Sequence, residues 1–270
     1  MAYACWLRPC VAVGSLRGDF THDQAKSGPL LGRLSARFPP RQIANSWRAV
    51  ENVGRASGPF VPRDLRVVPN GIDLAEFSPA PRAGARPVVV AGIGTLSQLK
   101  NWAALLPLAA GWAADGLEVR VRIAGDGPER SALAAEIHRL GIGACFELAG
   151  VVDDVPRFLA DADLLVHVST REGMPNAVLE AMAAGRPVVA FDSGDVSRLV
   201  DDGVSGYVVP LGAADQLDAR LRALFADDSR REEMGRAARD AAGEFSSEGL
   251  AARMLEAYSS FGAPVVSAAP

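Results

Sequence analysis

Two glutamates eight residues apart, Glu172 and Glu180, are the side chains of this sequence best spaced for chemistry. Between them lies a glycine-containing loop that leads into a helix. The first main-chain N–H groups of that helix, around residues 174–178, lack helical partners and attract an anion such as a diphosphate. Carboxylates repel phosphate, but they accept hydrogen bonds from sugar hydroxyls. The arrangement therefore predicts a site for a ligand that carries both a diphosphate and hydroxyl groups.

The segments around this stretch read as one strand, helix and strand unit. Residues 164–168 and 188–191 are short apolar runs, which are typical of buried parallel strands. Pro175 is expected in the first helical turn, where a missing N–H costs nothing, and Gly185 ends the helix as a left-handed cap. Open α/β sheets bind ligands at the carboxyl ends of their strands, so the loop that contains Glu172 is the expected site.

The stretch from Glu172 to Gly185, EGMPNAVLEAMAAG, resembles the E-x7-E motif of the retaining glycosyltransferases of family 4, also called group 1. Members of that family have the two-domain GT-B fold. The resemblance implies that Glu172 contacts the transferred sugar near the reacting carbon and that Glu180 holds the ribose hydroxyls of the nucleotide. It also implies donor contacts from the residues between them, namely Gly173, Met174, Pro175, Asn176, Ala177 and Val178. Outside such a motif, the two glutamates would be read as an acidic helix start favoured by the helix dipole.

A second loop, after the predicted strand at residues 88–92, contains Lys100. It resembles the phosphate-binding G-R-L-x-x-x-K loop of the same family, with Gly94, Leu96 and Lys100 matching and Thr95 in place of the arginine. The resemblance implies that Lys100 stabilises the leaving diphosphate. A threonine hydroxyl cannot offset phosphate charge, so compensation by Arg171 or Arg186 stays open. The pair Gly92 and Gly94 by itself is too weak a signal for a dinucleotide-binding fingerprint.

Two further loops complete the candidate donor site. Gly125-Asp126-Gly127-Pro128 resembles a family loop beside the nucleotide, which implies that Gly125 and Gly127 contact the donor. Its own geometry explains it equally well, because Asp126 fits a helix cap and Pro128 a first helical position. The loop that begins at Val151 runs past the nucleobase in relatives.

The alternation of strands and helices predicts an α/β fold of GT-B type, with a doubly wound, Rossmann-like parallel sheet in a C-terminal domain and a partial N-terminal α/β domain. The predicted organisation has five parts: a partial acceptor-side domain at residues 1–65, a connection at 66–87, a donor-binding domain at 88–243, a helix crossing back at 244–262 and a disordered tail at 263–270. Much of the family's N-terminal domain has no counterpart here, including its glycine-rich loop and its histidine. We expect His22 to be a surface or structural residue and His167 to be packed in the core.

Composition limits the function classes. The 270 residues carry a formal charge of −4 and a pI near 5.5, which argues against a nucleic-acid binder. Three cysteines show no disulfide or metal-ligand spacing, and no Asp, Glu and His cluster indicates a metal site. No uncharged run reaches the length of a membrane span. We expect a cytoplasmic protein that needs no metal or other cofactor, with peripheral membrane contact and self-association left open.

The sequence thus predicts a glycosyltransferase that moves a sugar with retention from a nucleotide-diphosphate sugar, UDP- or GDP-linked, to a glycan, lipid or small-molecule acceptor. Lys100 and Glu172 are the predicted catalytic residues. Two alternatives stay open. One is a truncated nucleotide-sugar-binding module without turnover. The other is a nucleotide-sugar epimerase of the GT-B fold, which would need further His and Glu residues around the diphosphate.

Overall fold

The computed structural model describes residues 11–17, 39–55, 62–79, 84 and 86–262. Contacts divide the chain into two compact units. The first contains the chain up to Gly71, the loop residues 172–174 and the chain from Phe245 onward, and the second contains Ile72–Arg171 and Pro175–Glu244. His22, the cysteines Cys5 and Cys10 and the predicted disordered tail at residues 263–270 lie outside the described residues.

The first unit contains a three-stranded parallel sheet in the order β1, β2, β3. Its described strands are β1 (Val13–Leu16), β2 (Arg41–Ala44) and β3 (Asp64–Val67), and its helices are α1 (Trp47–Arg55) and the last helix of the chain, α9 (Ser247–Ser260). Ser46 caps α1 by accepting the Ala49 N–H at 3.1 Å. Ile43 and Val68 pack with Ala257 and Phe261 of the C-terminal segment, which gives this unit a core of its own.

The second unit is a six-stranded, fully parallel sheet with helices between its strands. The strand order is β6, β5, β4, β7, β8, β9. The strands are β4 (Val88–Ile93), β5 (Val119–Ala124), β6 (Phe146–Gly150), β7 (Leu164–His167), β8 (Val188–Phe191) and β9 (Gly206–Val209). The helices are α2 (Leu105–Ala114), α3 (Arg130–Leu140), α4 (Val155–Ala160), α5 (Asn176–Ala183), α6 (Val196–Leu199), α7 (Ala214–Ala226) and α8 (Asp228–Ala242).

Burial explains the apolar runs of this sheet. Every residue of β7 and β8 is buried, as expected for central strands covered on both faces. His167, 1% exposed, is therefore a core residue, as predicted. In β5 the alternation of valine and arginine fits a strand that lies one position from the sheet edge, where Arg122 reaches Glu147 of β6 at 3.1 Å and the Phe158 ring of α4. The predicted α/β architecture with a parallel sheet is confirmed.

Two local predictions are wrong. Asp126 does not cap α3: the helix begins at Arg130 after Glu129, and Asp126 Oδ1 instead accepts the Gly127 N–H at 2.7 Å. Pro175 precedes the first helical position of α5, whereas Gly185 follows the helix with φ +69°, as predicted.

Helices α5 and α8 approach closely at Gly235. A Cβ built there would lie 2.2 Å from the carbonyl oxygen of Gly185 and 3.2 Å from its carbonyl carbon, so the backbone would have to move to accept a side chain. Glycine at this position therefore sets how closely α8 packs on the turn that ends α5.

We expect Gly235→Ala to lower the free energy of unfolding by about 1–3 kcal/mol, the usual cost of overpacking. Denaturant unfolding measures this change. Gly243→Ala is the matched control, because a Cβ there, at the end of α8, meets no atom within 4 Å. Alanine is also the better helix former, so the control should be neutral or stabilising. Equal stability of the two variants would contradict the close packing of α5 on α8.

Candidate functional site

The strand order places the switch point of the six-stranded sheet between β4 and β7. After β4 the chain adds β5 and β6 on one side, and it then returns to add β7, β8 and β9 on the other. The loops after β4 and β7 therefore leave neighbouring carboxyl ends in opposite directions, which is where open α/β sheets bind ligands. Lys100 lies in the first loop and Glu172 lies in the second.

Hydrogen bonds fasten the two loops together on both sides of Lys100. The Leu99 carbonyl accepts from the Thr170 N–H at 2.8 Å and from Thr170 Oγ1 at 3.2 Å. Asn101, which has a left-handed φ of +55°, donates from Nδ2 to the Val168 carbonyl at 3.3 Å. The backbone at Lys100 is thus held between two residues that are both bonded to the segment after β7.

Gly94, Gly125 and Gly127 allow the loops after β4 and β5 to touch. A Cβ at Gly125 would lie 2.1 Å from the Gly94 carbonyl oxygen, and one at Gly127 would lie 2.5 Å from the carbonyl oxygen of Leu96. A Cβ at Gly94 would lie 3.0 Å from Lys100 Cε, so the lysine stem passes over this glycine. These contacts give all three glycines a packing function that the sequence interpretation of the two loops did not contain.

At the start of α5, fewer main-chain N–H groups are available to bind an anion than the sequence predicts. Pro175 has no N–H, and the Val178 N–H donates to the Pro175 carbonyl at 3.1 Å. The Val178 side chain is fully buried, while Asn176 is exposed. Among the described residues, the main-chain amides of Met174 and Ala177 have no acceptor. The predicted anion site therefore rests on a smaller set of donors.

The loop residues Glu172, Gly173 and Met174 group with the first unit. The buried Met174 side chain accepts the Asn70 N–H on Sδ at 3.0 Å. A Cβ at Gly173 would lie 3.6 Å from the Ser46 Cβ. The side chain of Met174 is thus occupied by packing, and only its main chain is left for a ligand.

Thr95 and Val151 are exposed at the carboxyl ends of their strands. Val151 is 74% exposed at the end of β6, and β5 separates this edge strand from β4. An apolar side chain with that exposure has contact area to offer a flat ligand group. Thr95 presents an exposed side chain, while its carbonyl accepts from Trp102 Nε1 at 3.2 Å.

Arg171 and Arg186 are the two arginines considered as replacements for the positive charge that is missing at Thr95. Of these, Arg186 already forms hydrogen bonds within the protein. It is buried, and it donates from Nε to the Leu159 carbonyl at 3.0 Å and from Nη2 to the Ala160 carbonyl at 2.9 Å. These carbonyls end α4, where a cation is favourable. Arg186 therefore has a structural function, whereas Arg171 is exposed.

Residues 76–241 match the family model described as glycosyl transferases group 1. The chain belongs to this family. Among curated group 1 relatives, the D-inositol 3-phosphate glycosyltransferase of Segniliparus rotundus is 33% identical over 241 residues, an alignment that covers 80% of this chain and 53% of that protein. The putative colanic acid biosynthesis glycosyltransferase WcaL of Escherichia coli is 31% identical over 192 residues, with 67% and 46% covered.

The fold also matches solved structures. The crystal structure of HepE from Anabaena in complex with UDP and glucose superposes with a TM-score of 0.82 at 24% sequence identity, over 96% of this chain and 74% of that chain. This similarity supports the predicted GT-B glycosyltransferase fold. The chain spans about half the length of the curated relatives that it matches.

Glu180 combines burial with a lack of partners. It lies on α5, half-buried, and its carboxylate forms no hydrogen bond or ion pair with any residue that the structure describes. Burial raises the pKa of this carboxyl because it disfavours the charged form. Structural carboxylates at such depth are normally paired, so an unpaired one is a functional candidate.

We expect Glu180→Gln to stabilise the unliganded chain at neutral pH. The raised pKa means that the folded state binds the proton more tightly than the unfolded state. Stability therefore falls as pH rises from the unfolded to the folded pKa and stays reduced above it. The glutamine variant lacks this decline, and denaturant unfolding from about pH 4 to pH 7 reveals the difference. Glu118→Gln, at an exposed position before β5, is the control for the exchange of glutamate by glutamine and is measured over the same pH range. A wild-type profile that does not decline relative to the variant would contradict a buried, unpaired carboxylate.

Arg239 is a positioning residue that the sequence analysis did not identify. Arg239 of α8 donates to the carbonyls of Phe77 at 2.6 Å, Leu74 at 3.2 Å and Ala183. Ala183 is the last residue of α5, so this cation ties the end of that helix to the segment at residues 74–77. The only sequence signal is a basic residue in the last turn of α8.

No three His, Cys, Asp or Glu side chains in the described part of the chain are grouped as metal ligands would be. None of the helices in that part of the chain has the length and apolar character that a membrane span requires. Cys145 is a partly buried free thiol, and burial raises its pKa.

Proposed function

We propose that this chain provides the donor site of a retaining, family 4 glycosyltransferase, which moves a sugar from a nucleotide-diphosphate sugar to a glycan, lipid or small-molecule acceptor. The observation that carries the proposal is the switch point between β4 and β7. There, two hydrogen-bonded loops bring Lys100 next to the segment that leads into the E-x7-E stretch. Fold alone would not support a function, but this placement of charged residues does.

The diphosphate binds at Lys100 and at the start of α5. Transfer breaks the bond between the anomeric carbon and a diphosphate oxygen, so negative charge grows on the leaving group. Lys100 and the Ala177 N–H, both in the second unit, stabilise that charge, and preorganised donors of this kind are usually the largest single contribution to catalysis. Because the Val178 N–H is already used, we assign Val178 to packing beneath the site.

Each of the two glutamates contacts a different sugar of the donor. Glu180 accepts hydrogen bonds from the ribose hydroxyls, which supply the partners that its carboxylate lacks. Glu172 orients the transferred sugar and stabilises the positive charge that develops on its ring. A hydrogen bond to an ionised group contributes about 1.5–3 kcal/mol, so the contacts of Glu180 with the ribose are strong enough to determine the pose of the nucleotide.

The remaining predicted residues shape the site. Gly94, Gly125 and Gly127 let the loops after β4 and β5 pack closely, and Thr95 donates a neutral hydrogen bond. Gly173, Pro175 and Asn176 set the path of the chain between the glutamates. Val151, strongly exposed, offers an apolar contact for the base.

The donor base is proposed to be uracil or guanine, with UDP-sugars tested first. HepE, which shares the fold, was crystallised with UDP and glucose. Relatives named for colanic acid and lipopolysaccharide core biosynthesis make a cell-envelope or exopolysaccharide acceptor the class to test. We further propose that residues 88–243 form the donor domain and that residues 1–65 are a partial acceptor-side domain, with residues 66–87 as the connection and residues 244–262 as the helix that crosses back.

A second function, a donor-binding module without turnover, has one observation in its favour. Lys100 and Glu180, two of the proposed donor contacts, both lie in the second unit, so this unit can bind a donor without turning it over. Both functions require donor binding, but only the transferase releases the nucleoside diphosphate and forms a glycosylated product.

One experiment separates them. The chain is incubated with a UDP-sugar and a panel of glycan and polyol acceptors, and NMR follows both nucleotide release and the anomeric configuration of the product. Retained configuration supports the transferase proposal. Inverted configuration contradicts retention, and donor binding without any release identifies the module.

A further inference from the structure

We infer that Arg171 supplies the second cation of the diphosphate site, beside Lys100. This inference rests on the proposed function and adds a charge-recognition residue to it. A diphosphate carries more negative charge than one ammonium group offsets, and the loop after β4 adds only the neutral Thr95 hydroxyl. A second cation must therefore come from another segment near the switch point.

The hydrogen bonds between the two loops place Arg171 there. Leu99 and Thr170 are joined by the two bonds from Thr170 to the Leu99 carbonyl. Lys100 directly follows Leu99, and Arg171 directly follows Thr170, so each cation lies one residue from the same bonded pair. Consecutive Cα atoms are 3.8 Å apart, and the long basic side chains therefore start from neighbouring points of the backbone. Both residues belong to the second unit.

Two other arginines in the described part of the chain already donate to main-chain carbonyls near this edge of the sheet. Arg186 holds the carbonyls that end α4, and Arg130, the first residue of α3, donates from Nη2 to the Leu148 carbonyl of β6 at 3.4 Å. Arg171 is exposed and forms no hydrogen bond or ion pair with any residue that the structure describes. Its guanidinium can therefore meet a phosphate without first breaking a contact.

The chemistry of the side chain suits this task. A guanidinium binds two phosphate oxygens through a planar fork, whereas an ammonium acts as a point charge. Lys100 and Arg171 together would bind the diphosphate from two loops, and the bond between Leu99 and Thr170 would keep their separation constant. Recognition would then depend on the diphosphate and not on the base.

The test is calorimetric binding of UDP, GDP and ADP, and of the matching nucleosides, to the wild-type chain and to Arg171→Gln and Arg171→Lys. We expect Arg171→Gln to weaken binding of the preferred diphosphate about tenfold to a hundredfold, the range for a lost charged hydrogen bond. The affinity for the nucleoside should stay unchanged, and the dependence of diphosphate affinity on salt should become shallower. Arg171→Lys should recover part of the loss.

Arg120→Gln is the matched control, because Arg120 is an exposed arginine near the amino end of β5, the opposite edge of the same sheet. Unchanged diphosphate affinity in Arg171→Gln, or an equal loss for diphosphate and nucleoside, would overturn the assignment while leaving the donor site intact. A wild-type chain that binds none of the three diphosphates would overturn both this inference and the proposed function.

Discussion

Replacing Glu172 by glutamine is expected to slow sugar transfer by about 100- to 1,000-fold while changing donor affinity by no more than about threefold. The substitution keeps the size of the side chain and removes its negative charge. That charge matters most in the transition state, when the sugar ring becomes positive. An interaction that acts mainly in the transition state lowers the turnover rate and leaves ground-state binding nearly unchanged.

The assay for Glu172→Gln measures the release of nucleoside diphosphate from the donor. With acceptor present the release reports sugar transfer, and without acceptor it reports the slow hydrolysis of the donor. Glu118→Gln removes a carboxylate from an exposed position before β5 and is expected to turn over like the wild type. A glutamine variant that keeps its rate but binds the donor much more weakly would move Glu172 from a catalytic role to a binding role. Loss of folded protein in thermal unfolding would point to a structural role instead.

Lys100→Ala is expected to weaken donor binding by about tenfold to a hundredfold and to slow transfer further, because the lysine charge acts on both the bound and the leaving diphosphate. Lys100→Arg should retain part of the affinity, since the charge remains but the guanidinium needs more room above Gly94. Calorimetry with a nucleotide sugar, at two salt concentrations, measures both effects.

The position of Lys100 makes this prediction specific. Its neighbours Leu99 and Asn101 are hydrogen-bonded to Thr170 and Val168, so alanine removes the charge without freeing the loop. Thermal stability of Lys100→Ala should therefore stay near that of the wild type. A variant that binds the donor as tightly as the wild type would exclude Lys100 from the diphosphate site.

The sequence predicts the βαβ unit of the candidate site well because its signals are local. The apolar runs before and after the E-x7-E stretch fold as β7 and β8, and Gly185 follows α5 with the positive φ expected of a cap. The whole unit needs only hydrophobic burial and turn residues, which a short window of sequence contains.

Contacts between distant segments could not be predicted in this way. Gly125 and Gly127 meet the loop after β4, Arg186 meets the end of α4, and Gly235 meets the turn after α5. No periodicity encodes such pairs, because each depends on how separate loops approach once the sheet has formed. The prediction of a helix cap at Asp126 was wrong for the same reason. A cap depends on the local backbone, and here the Leu96 N–H donates to the Asp126 carbonyl while the Leu96 carbonyl accepts from the Glu129 N–H.

The most direct test of the donor site is calorimetric titration of the chain with UDP-, GDP- and ADP-sugars, repeated with Glu180→Gln. We predict that one nucleotide class binds, that the glutamine variant weakens it about tenfold to a hundredfold, and that wild-type affinity falls as pH drops through the raised pKa of Glu180. The pH effect has this sign because the ionised carboxylate accepts hydrogen bonds from the ribose hydroxyls more strongly than the protonated carboxyl group does. Absence of binding at millimolar donor, or equal affinity of wild type and variant, would contradict the proposed site.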